Sequence, residues 1–206
     1  GRSGSGKSTL GHLLMRFYDP TRGRILIDGR DIKTVTQESL RRQIASVPQE
    51  IDLFSRTVRE NIVYGRPEAT DEEVVKAARI AFADEFIQEL EHGYETVVGE
   101  RGLKLSGGQR QRIGIARAML IAPNILILDE ATSDLDTISE KIVHKAIDAA
   151  IGNQTTIIIA HRLSTVMHAD KIVVLDHGRV EATGSHEELL NRSLIYRNLY
   201  ESQFKD

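Results

Sequence analysis

Hydrophobic residues recur along the chain with two different periods. Apolar positions at helical spacing predict helices over residues 10–17, 109–121 and 139–151. Short, continuous apolar runs predict strands over residues 24–28, 44–47, 125–128, 156–160 and 172–175. The run at 125–128 is apolar at every position, which is typical of a parallel strand buried on both faces. Because strands and helices alternate, the pattern predicts an α/β fold with a mostly parallel sheet.

The middle of the chain has a different pattern. Thr70 and Glu73 form the sequence signature of a helix capping box, and a helical run follows them. We therefore divide the chain into a core, residues 1–56 and 104–206, and a mostly helical insert, residues 57–103. The core is expected to end in a helical tail.

Composition narrows the possible classes of protein. The chain of 206 residues contains no cysteine, which excludes disulfides and thiolate metal sites. Its formal net charge of −3 argues against a nucleic-acid-binding surface. No apolar stretch approaches the about 18 residues that a membrane-spanning helix needs. We therefore expect a domain that does not itself cross a membrane.

The first eight residues match a phosphate-binding pattern. The sequence from Gly1 to Ser8 fits the P-loop consensus, in which glycines allow backbone N–H groups to converge on phosphates. The helix that begins near Lys7 directs the positive end of its dipole at the same anions. Lys7 supplies a charge to the β- and γ-phosphates, and the Ser8 hydroxyl is suited to bind magnesium. The alternative is a Gly/Ser-rich linker before a helix; a P-loop normally follows a buried strand, so the P-loop interpretation predicts further chain before Gly1.

Two acidic residues follow the most apolar strand. Asp129 and Glu130 come directly after residues 125–128. In open α/β sheets, ligands bind at this end of the strands. A P-loop enzyme needs an acid for magnesium and a group that orients the attacking water, and Asp129 and Glu130 suit these two roles. An acidic pair that merely ends a strand is the alternative, which the P-loop upstream disfavours.

Three further features have a common structural explanation when each is considered alone. Ser106, which is followed by Gly107-Gly108-Gln109, is suited to cap the next helix. His161 follows a predicted strand, and a single histidine is more often structural than catalytic. Gln49 lies in a loop after a strand. The Ser106 loop is nevertheless a second Gly/Ser-rich loop that presents a helix N-terminus, and so a second candidate anion site.

Taken together, these residues resemble the nucleotide-binding domain of ABC transporters over essentially all 206 positions. Residues 105–109 match the signature sequence of that family at every letter. Gln49 stands where the family has its Q-loop glutamine, residues 133–136 where it has the D-loop, and His161 where it has the switch histidine. The order of the motifs is that of the family, although Asp134 occupies a place more often held by a small residue.

Two segments resemble the exporter type of ABC transporter in particular. Residues 96–102 are similar to the loop that contacts the coupling helices of the membrane domain in exporters. Residues 54–62 are also similar to the corresponding exporter sequence. The resemblance therefore implies a P-loop NTPase core with a helical insert that leads to the signature loop.

The resemblance implies an ATPase that converts ATP and water to ADP and phosphate. The implied catalytic residues are Lys7, Glu130 and His161. Magnesium would be bound by Ser8, Gln49 and Asp129. The implied nucleotide-binding residues are Gly1, Ser3, Gly4, Ser5, Gly6, Lys7, Ser8, Thr9, Gln49, Ser106, Gly107, Gly108 and Gln109. The last four of these would act on the ATP of an opposing subunit, where other P-loop enzymes use an arginine finger.

The resemblance also implies partners and a location. We expect a second ABC ATPase domain in a head-to-tail dimer and a transmembrane domain on the same full-length chain, but no nucleic acid. The domain would lie at the cytoplasmic face of a membrane. The transported substrate and the choice between homodimer and heterodimer are left open, because the membrane domain selects the substrate in this family.

Three other functional classes are alternatives to the exporter. An ABC protein of DNA repair or chromosome structure would have a long coiled coil between Gln49 and Ser106, but these residues are only 57 positions apart and no sustained heptads lie between them. A soluble translation factor would have two such domains in one chain, which only the full-length sequence can decide. A regulatory module that binds ATP without hydrolysing it is disfavoured, because Glu130 and His161 are both present.

Overall fold

The computed structural model describes residues 1–2, 4–129, 135–152, 154–160 and 163–204. The chain forms two compact units, Gly1–Leu40 with Ile158–Asp206, and Arg41–Ile157. The elements, in chain order, are α1 (Lys7–Leu14), β1 (Leu26–Ile27), β2 (Arg30–Asp31), α2 (Gln37–Arg41), β3 (Ile44–Val47), α3 (Val58–Ile62), α4 (Asp71–Ile80), α5 (Asp84–Gln88), α6 (Gly107–Leu120), β4 (Ile125–Asp129), α7 (Thr137–Ala150), β5 (Thr155–Ile159), β6 (Ile172–Asp176), β7 (Arg179–Gly184), α8 (His186–Arg192) and α9 (Leu194–Phe204). The division into a core and an insert at residues 57–103 stays a prediction.

The parallel sheet has the strand order β3-β4-β5. Strands β3 and β4 run parallel, with Ile44 opposite Ile125 and Val47 opposite Leu128. The three central side chains of β4 are at most 2% exposed. The prediction of a parallel strand buried on both faces is therefore confirmed, and so is the α/β fold class.

Helix α6 is the most buried helix of the second unit and packs against α3, α4, α7 and β3. Two glycines allow close approach along it. A Cβ atom added to Gly108 would lie 2.7 Å from Ser139 Cβ on α7, and one added to Gly114 would lie 2.5 Å from Ile51 Cδ1. The sequence predicts this helix within two residues of its observed ends.

Helix α1 has the predicted length of eight residues, but it begins and ends three residues earlier than its apolar pattern predicts. It ends at Leu14, whereas the pattern extends to Phe17. The cause is Arg16, which has a left-handed backbone with φ 52°. Its guanidinium Nη1 donates to the carbonyls of Ile32 and Val35, at 3.0 and 2.8 Å, and these bonds stabilise the turn that ends the helix.

The first unit contains an antiparallel hairpin of β6 and β7 that the sequence pattern does not predict. His177 and Gly178 form its two-residue turn, both with positive φ. Turns of that kind match the twist of antiparallel strands. Strand β6 contributes Ile172 and Val174 to the core of this unit, where Leu163, Leu189 and Tyr196 are also buried.

The close contact between α6 and α7 gives the first prediction. Gly108→Ala places a Cβ against the Cβ of Ser139, which cannot rotate away, so the two helices must separate. We expect a loss of about 1–3 kcal/mol in the free energy of unfolding. Thermal unfolding of the purified protein measures it. Gly107→Ala is the control, because its nearest contact is the flexible end of Leu135 at 3.1 Å; equal losses in both variants would contradict this account.

Candidate functional site

The P-loop residues form a turn that depends on glycine at three positions. Gly4 and Gly6 have φ values of 76° and 100°, which L side chains rarely adopt. A Cβ added to Gly1 would lie 2.0 Å from the carbonyl oxygen of Leu175. Glycine is therefore sterically required at all three positions, of which Gly1 and Gly6 belong to the consensus and Gly4 does not.

Hydrogen bonds hold this loop in place inside the first unit. Gly178 N–H, in the β6–β7 turn, donates to Ser5 C=O at 3.1 Å. Lys7 Nζ folds back over the loop and donates to the carbonyls of Gly1 and Arg2, at 3.0 and 2.9 Å. Ser5 is 3% exposed, and its Oγ has no hydrogen-bond partner in the part of the chain that the structure describes. A buried hydroxyl of this kind is a group that a bound polar ligand can satisfy.

Helix α1 begins directly after this loop, and Lys7, Ser8 and Thr9 lie in its first turn. Its N-cap is Gly6, so no side chain caps the helix. Uncapped N–H groups and the positive end of the helix dipole favour an anion. The donor chemistry of the P-loop thus fits the phosphates of a nucleotide.

Two of the three predicted magnesium-binding residues lie at neighbouring strand ends in the second unit. Asp129 is the last residue of β4, and Gln49 is exposed two residues after the end of β3. Because the strands are parallel and Val47 is opposite Leu128, the two residues share one edge of the sheet. A carboxylate, an amide oxygen and the hydroxyl of Ser8 are oxygen donors that suit magnesium.

The signature loop forms the N-terminus of α6. Ser106 Oγ accepts a hydrogen bond from Gln109 N–H at 3.2 Å, and Gln109 Oε1 accepts one from Ser106 N–H at 2.9 Å. This capping box confirms the helix-cap interpretation of Ser106. Neither bond uses the N–H groups of Gly107 and Gly108. The role of this loop in nucleotide binding stays a prediction.

Several predicted site residues lie outside the described part of the chain, namely Ser3, Glu130, Ser133, Asp134 and His161. Asp136, at the end of the predicted D-loop, is described. It is the N-cap of α7, and its Oδ1 accepts hydrogen bonds from the N–H groups of Ile138 and Ser139, both at 3.0 Å. Ser139 lies against Gly108, so the D-loop end and the signature helix adjoin.

Sequence reasoning missed two residues that hold the site segments. Gly178 anchors the P-loop from a hairpin that the pattern did not predict. Gln111 is 4% exposed on α6, and its Nε2 donates to the carbonyl of Pro48, next to Gln49, at 3.4 Å. No sequence signal marked Gln111, because it stands in a run of four polar residues, 109–112.

An exposed aromatic pair lies in the second unit near the segments that resemble exporters. The rings of Phe54 and Tyr64 are 4.5 Å apart, and their residues are 42% and 57% exposed. Thr57 forms an isolated antiparallel bridge with Val97, which connects the two segments.

The described residues contain neither a candidate membrane span nor a cluster of metal ligands. None of the helices there has the length and hydropathy of a membrane span. No group of three or more His, Asp or Glu side chains in those residues is arranged to hold a metal ion.

Comparisons with known proteins agree with the fold and the motifs. The ABC transporter family matches residues 1–133. Proteins of Staphylococcus aureus that are named as proposed multidrug export ATP-binding/permease proteins are similar over 203 residues, at 58% identity in strain COL and 57% in a bovine strain. In both cases the match covers 98% of this chain and 35% of the relative.

A solved structure is similar over the whole chain. It is titled as a bacterial Atm1-family ABC exporter with ATP bound, and it matches with 51% identity and a TM-score of 0.93 over 100% of this chain and 36% of that one. The chain belongs to the ABC transporter family. It has the fold of that family's nucleotide-binding domain, and it spans about a third of the length of the relatives that it matches.

The cap of α7 gives a prediction of pH dependence. Hydrogen bonds from the side chain and backbone of Ser139, and from the backbone of Ile138, hold the pKa of Asp136 below its ordinary value. A depressed pKa means that the carboxylate stabilises the fold above about pH 4 and that this contribution is lost as the pH falls further. Asp136→Asn keeps a cap without the charge. We expect wild type to unfold at a higher temperature than Asp136→Asn at pH 7, and the difference to shrink below pH 4. A difference that is constant with pH would contradict this.

Proposed function

We propose that this chain is the ATP-hydrolysing domain of an ABC exporter, and that it powers transport across a membrane. The observation that carries the proposal is the P-loop: an uncapped helix N-terminus after a glycine turn, with the acidic end of β4 in the same chain. The relatives named for multidrug export and the similar exporter with ATP bound support it.

Residues of this chain would bind the nucleotide as follows. The P-loop amides of residues 1–6 and the first turn of α1 hold the phosphates, and Lys7 leaves its carbonyl partners to contact the β- and γ-phosphates. Ser8, Gln49 and Asp129 are the residues that would hold magnesium. When bound, the metal neutralises the charge that develops on the phosphates.

Glu130 would orient and polarise the attacking water. Its place directly after Asp129 puts it next to the residue at the carboxyl end of β4, and general base catalysis is worth typically about 10²–10⁴-fold. His161 would contact the γ-phosphate. Both assignments rest on the match of these residues to the motifs of the family.

We further propose that two copies form the working site, arranged head to tail. Each chain has two loops that end in helix N-termini, at residues 1–8 and at residues 106–109. The signature loop of one copy would complete the stabilisation of the γ-phosphate bound by the P-loop of the other. ATP would then favour the dimer, and hydrolysis would weaken it.

A membrane domain is the other proposed partner. The relatives are named as ATP-binding/permease proteins, in which one polypeptide has both parts. The exposed pair of Phe54 and Tyr64, together with residues 96–102, is the surface that we propose for contact with it. Tyr64 and residues 96–102 belong to the proposed helical insert at residues 57–103. The domain would lie at the cytoplasmic face of the membrane.

The role of Glu130 gives the third prediction. Glu130→Gln removes a transition-state interaction, so it should lower the turnover number by about 10²-fold or more and leave nucleotide affinity nearly intact. Lys7→Ala should weaken binding and turnover together, because Lys7 contacts the ground state as well. Steady-state hydrolysis and equilibrium nucleotide binding of the full-length protein measure both quantities. Wild-type hydrolysis by Glu130→Gln would remove Glu130 from the mechanism.

The shared site gives the fourth prediction. Ser106→Arg should abolish ATP-driven dimerisation and turnover, because its side chain would occupy the space of the opposing phosphate. Mixing Ser106→Arg chains with Lys7→Ala chains gives a dimer in which one site has both defects and the other has neither. Some hydrolysis should therefore return on mixing.

Two results would contradict the shared site. One is normal turnover by Ser106→Arg as a monomer. The other is a complete lack of activity in mixed dimers that form stably, which would contradict shared sites that work independently of each other.

A further inference from the structure

Gln111 is one of the few polar side chains buried in the described part of the chain. It lies on α6, and only 4% of it is exposed. Burying an amide group costs free energy unless it forms hydrogen bonds. Its Nε2 donates to the carbonyl of Pro48, the residue directly before Gln49. The buried amide is therefore used to hold the loop that contains Gln49.

The same face of α6 holds the other end of this loop. Gly114 lies one turn after Gln111, and the position of a Cβ there would be 2.5 Å from Ile51 Cδ1 and 2.8 Å from Ile51 Cγ1. Because Gly114 has no side chain, Ile51 lies directly against the helix backbone, where it is 8% exposed. Pro48 and Ile51 are thus both fixed to α6, while Gln49 between them is exposed.

We propose that Gln111 is a positioning residue for the metal site: it fixes the backbone at Pro48 and thereby sets where the Gln49 amide can reach. This inference rests on the proposed function, in which Gln49 helps to bind magnesium. Helix α6 begins at the signature loop. In the proposed dimer, one helix would therefore present Ser106 to a second copy and hold the loop that contains Gln49 of its own chain.

The test measures how much magnesium improves ATP binding. ATP affinity is determined by equilibrium binding to the full-length protein, once with Mg²⁺ and once with EDTA, on a Glu130→Gln background that blocks hydrolysis. Gln111→Met keeps the size of the side chain but removes the N–H donor. We expect it to reduce the magnesium-dependent gain in affinity by roughly three- to tenfold, the effect of losing one hydrogen bond. Affinity in EDTA should stay unchanged.

A double-mutant cycle separates positioning from general stability. Gln49→Ala should remove the magnesium-dependent gain in ATP affinity. Adding Gln111→Met to Gln49→Ala should then cause no further loss of that gain. Thr70→Ala is the matched control, because it removes the side-chain cap of α4 in the same unit, away from Gln49 in sequence. It should lower the unfolding temperature without changing the magnesium-dependent gain.

Three outcomes would overturn the inference. The first is a magnesium-dependent gain in ATP affinity that is the same in Gln111→Met as in Thr70→Ala. The second is a loss of this gain by Gln111→Met that is equally large in the presence of Gln49 and in Gln49→Ala, which means that Gln111 does not act through Gln49. The third is an intact gain in Gln49→Ala, which refutes the metal role of Gln49 in the proposed function and the inference with it.

A second variant covers the case in which Gln111→Met fails to fold. Ile51→Val removes the methyl group nearest to Gly114 and loosens the other end of the loop. It should reduce the magnesium-dependent gain in the same direction by a smaller factor. An unchanged gain in this variant would also overturn the inference.

Discussion

The burial of α6 is the constraint on which the second unit depends. A helix surrounded by α3, α4, α7 and β3 can keep close contacts only where its side chains are small, and Gly108 and Gly114 provide that. It can bury a polar side chain only where a hydrogen-bond partner is held nearby, and the carbonyl of Pro48 is that partner for Gln111. Requirements of packing therefore connect the signature loop, the D-loop end and the segment that contains Gln49.

Two helix N-termini are candidate anion-binding sites, and they differ in how their N–H groups are capped. Helix α1 follows Gly6 and has no side-chain cap, so no capping side chain competes with phosphate for the N–H groups of its first turn. Helix α6 is capped by Ser106 and Gln109, and this cap leaves the N–H groups of Gly107 and Gly108 unused. We propose that the first end binds the triphosphate of its own copy and that the second contacts a phosphate group presented by a second copy. This difference is the physical basis of the proposed shared site.

Motifs with a strong local cause could be predicted from the sequence. The strand at Ile44–Val47 has its predicted bounds, and the helices that follow Thr70 and Ser106 begin at their caps, because a capping residue determines where a helix starts. Features that depend on distant contacts could not be predicted. The end of α1 is set by bonds from Arg16 to residues far along the chain, and the role of Gln111 depends on a loop 63 residues away. The need for glycine at position 108 arises from the close approach of α7, which is also a distant contact.

The shared site is the central claim, and cross-linking tests it most directly. The chain contains no cysteine, so cysteines can be introduced singly, as Arg2→Cys within the P-loop of one copy and Ser106→Cys in another. A short bifunctional maleimide is added to the mixture with and without a non-hydrolysable ATP analogue. The account predicts a cross-linked dimer that forms many times faster with the analogue. Equal cross-linking with and without the analogue, in protein that demonstrably binds it, would contradict the claim.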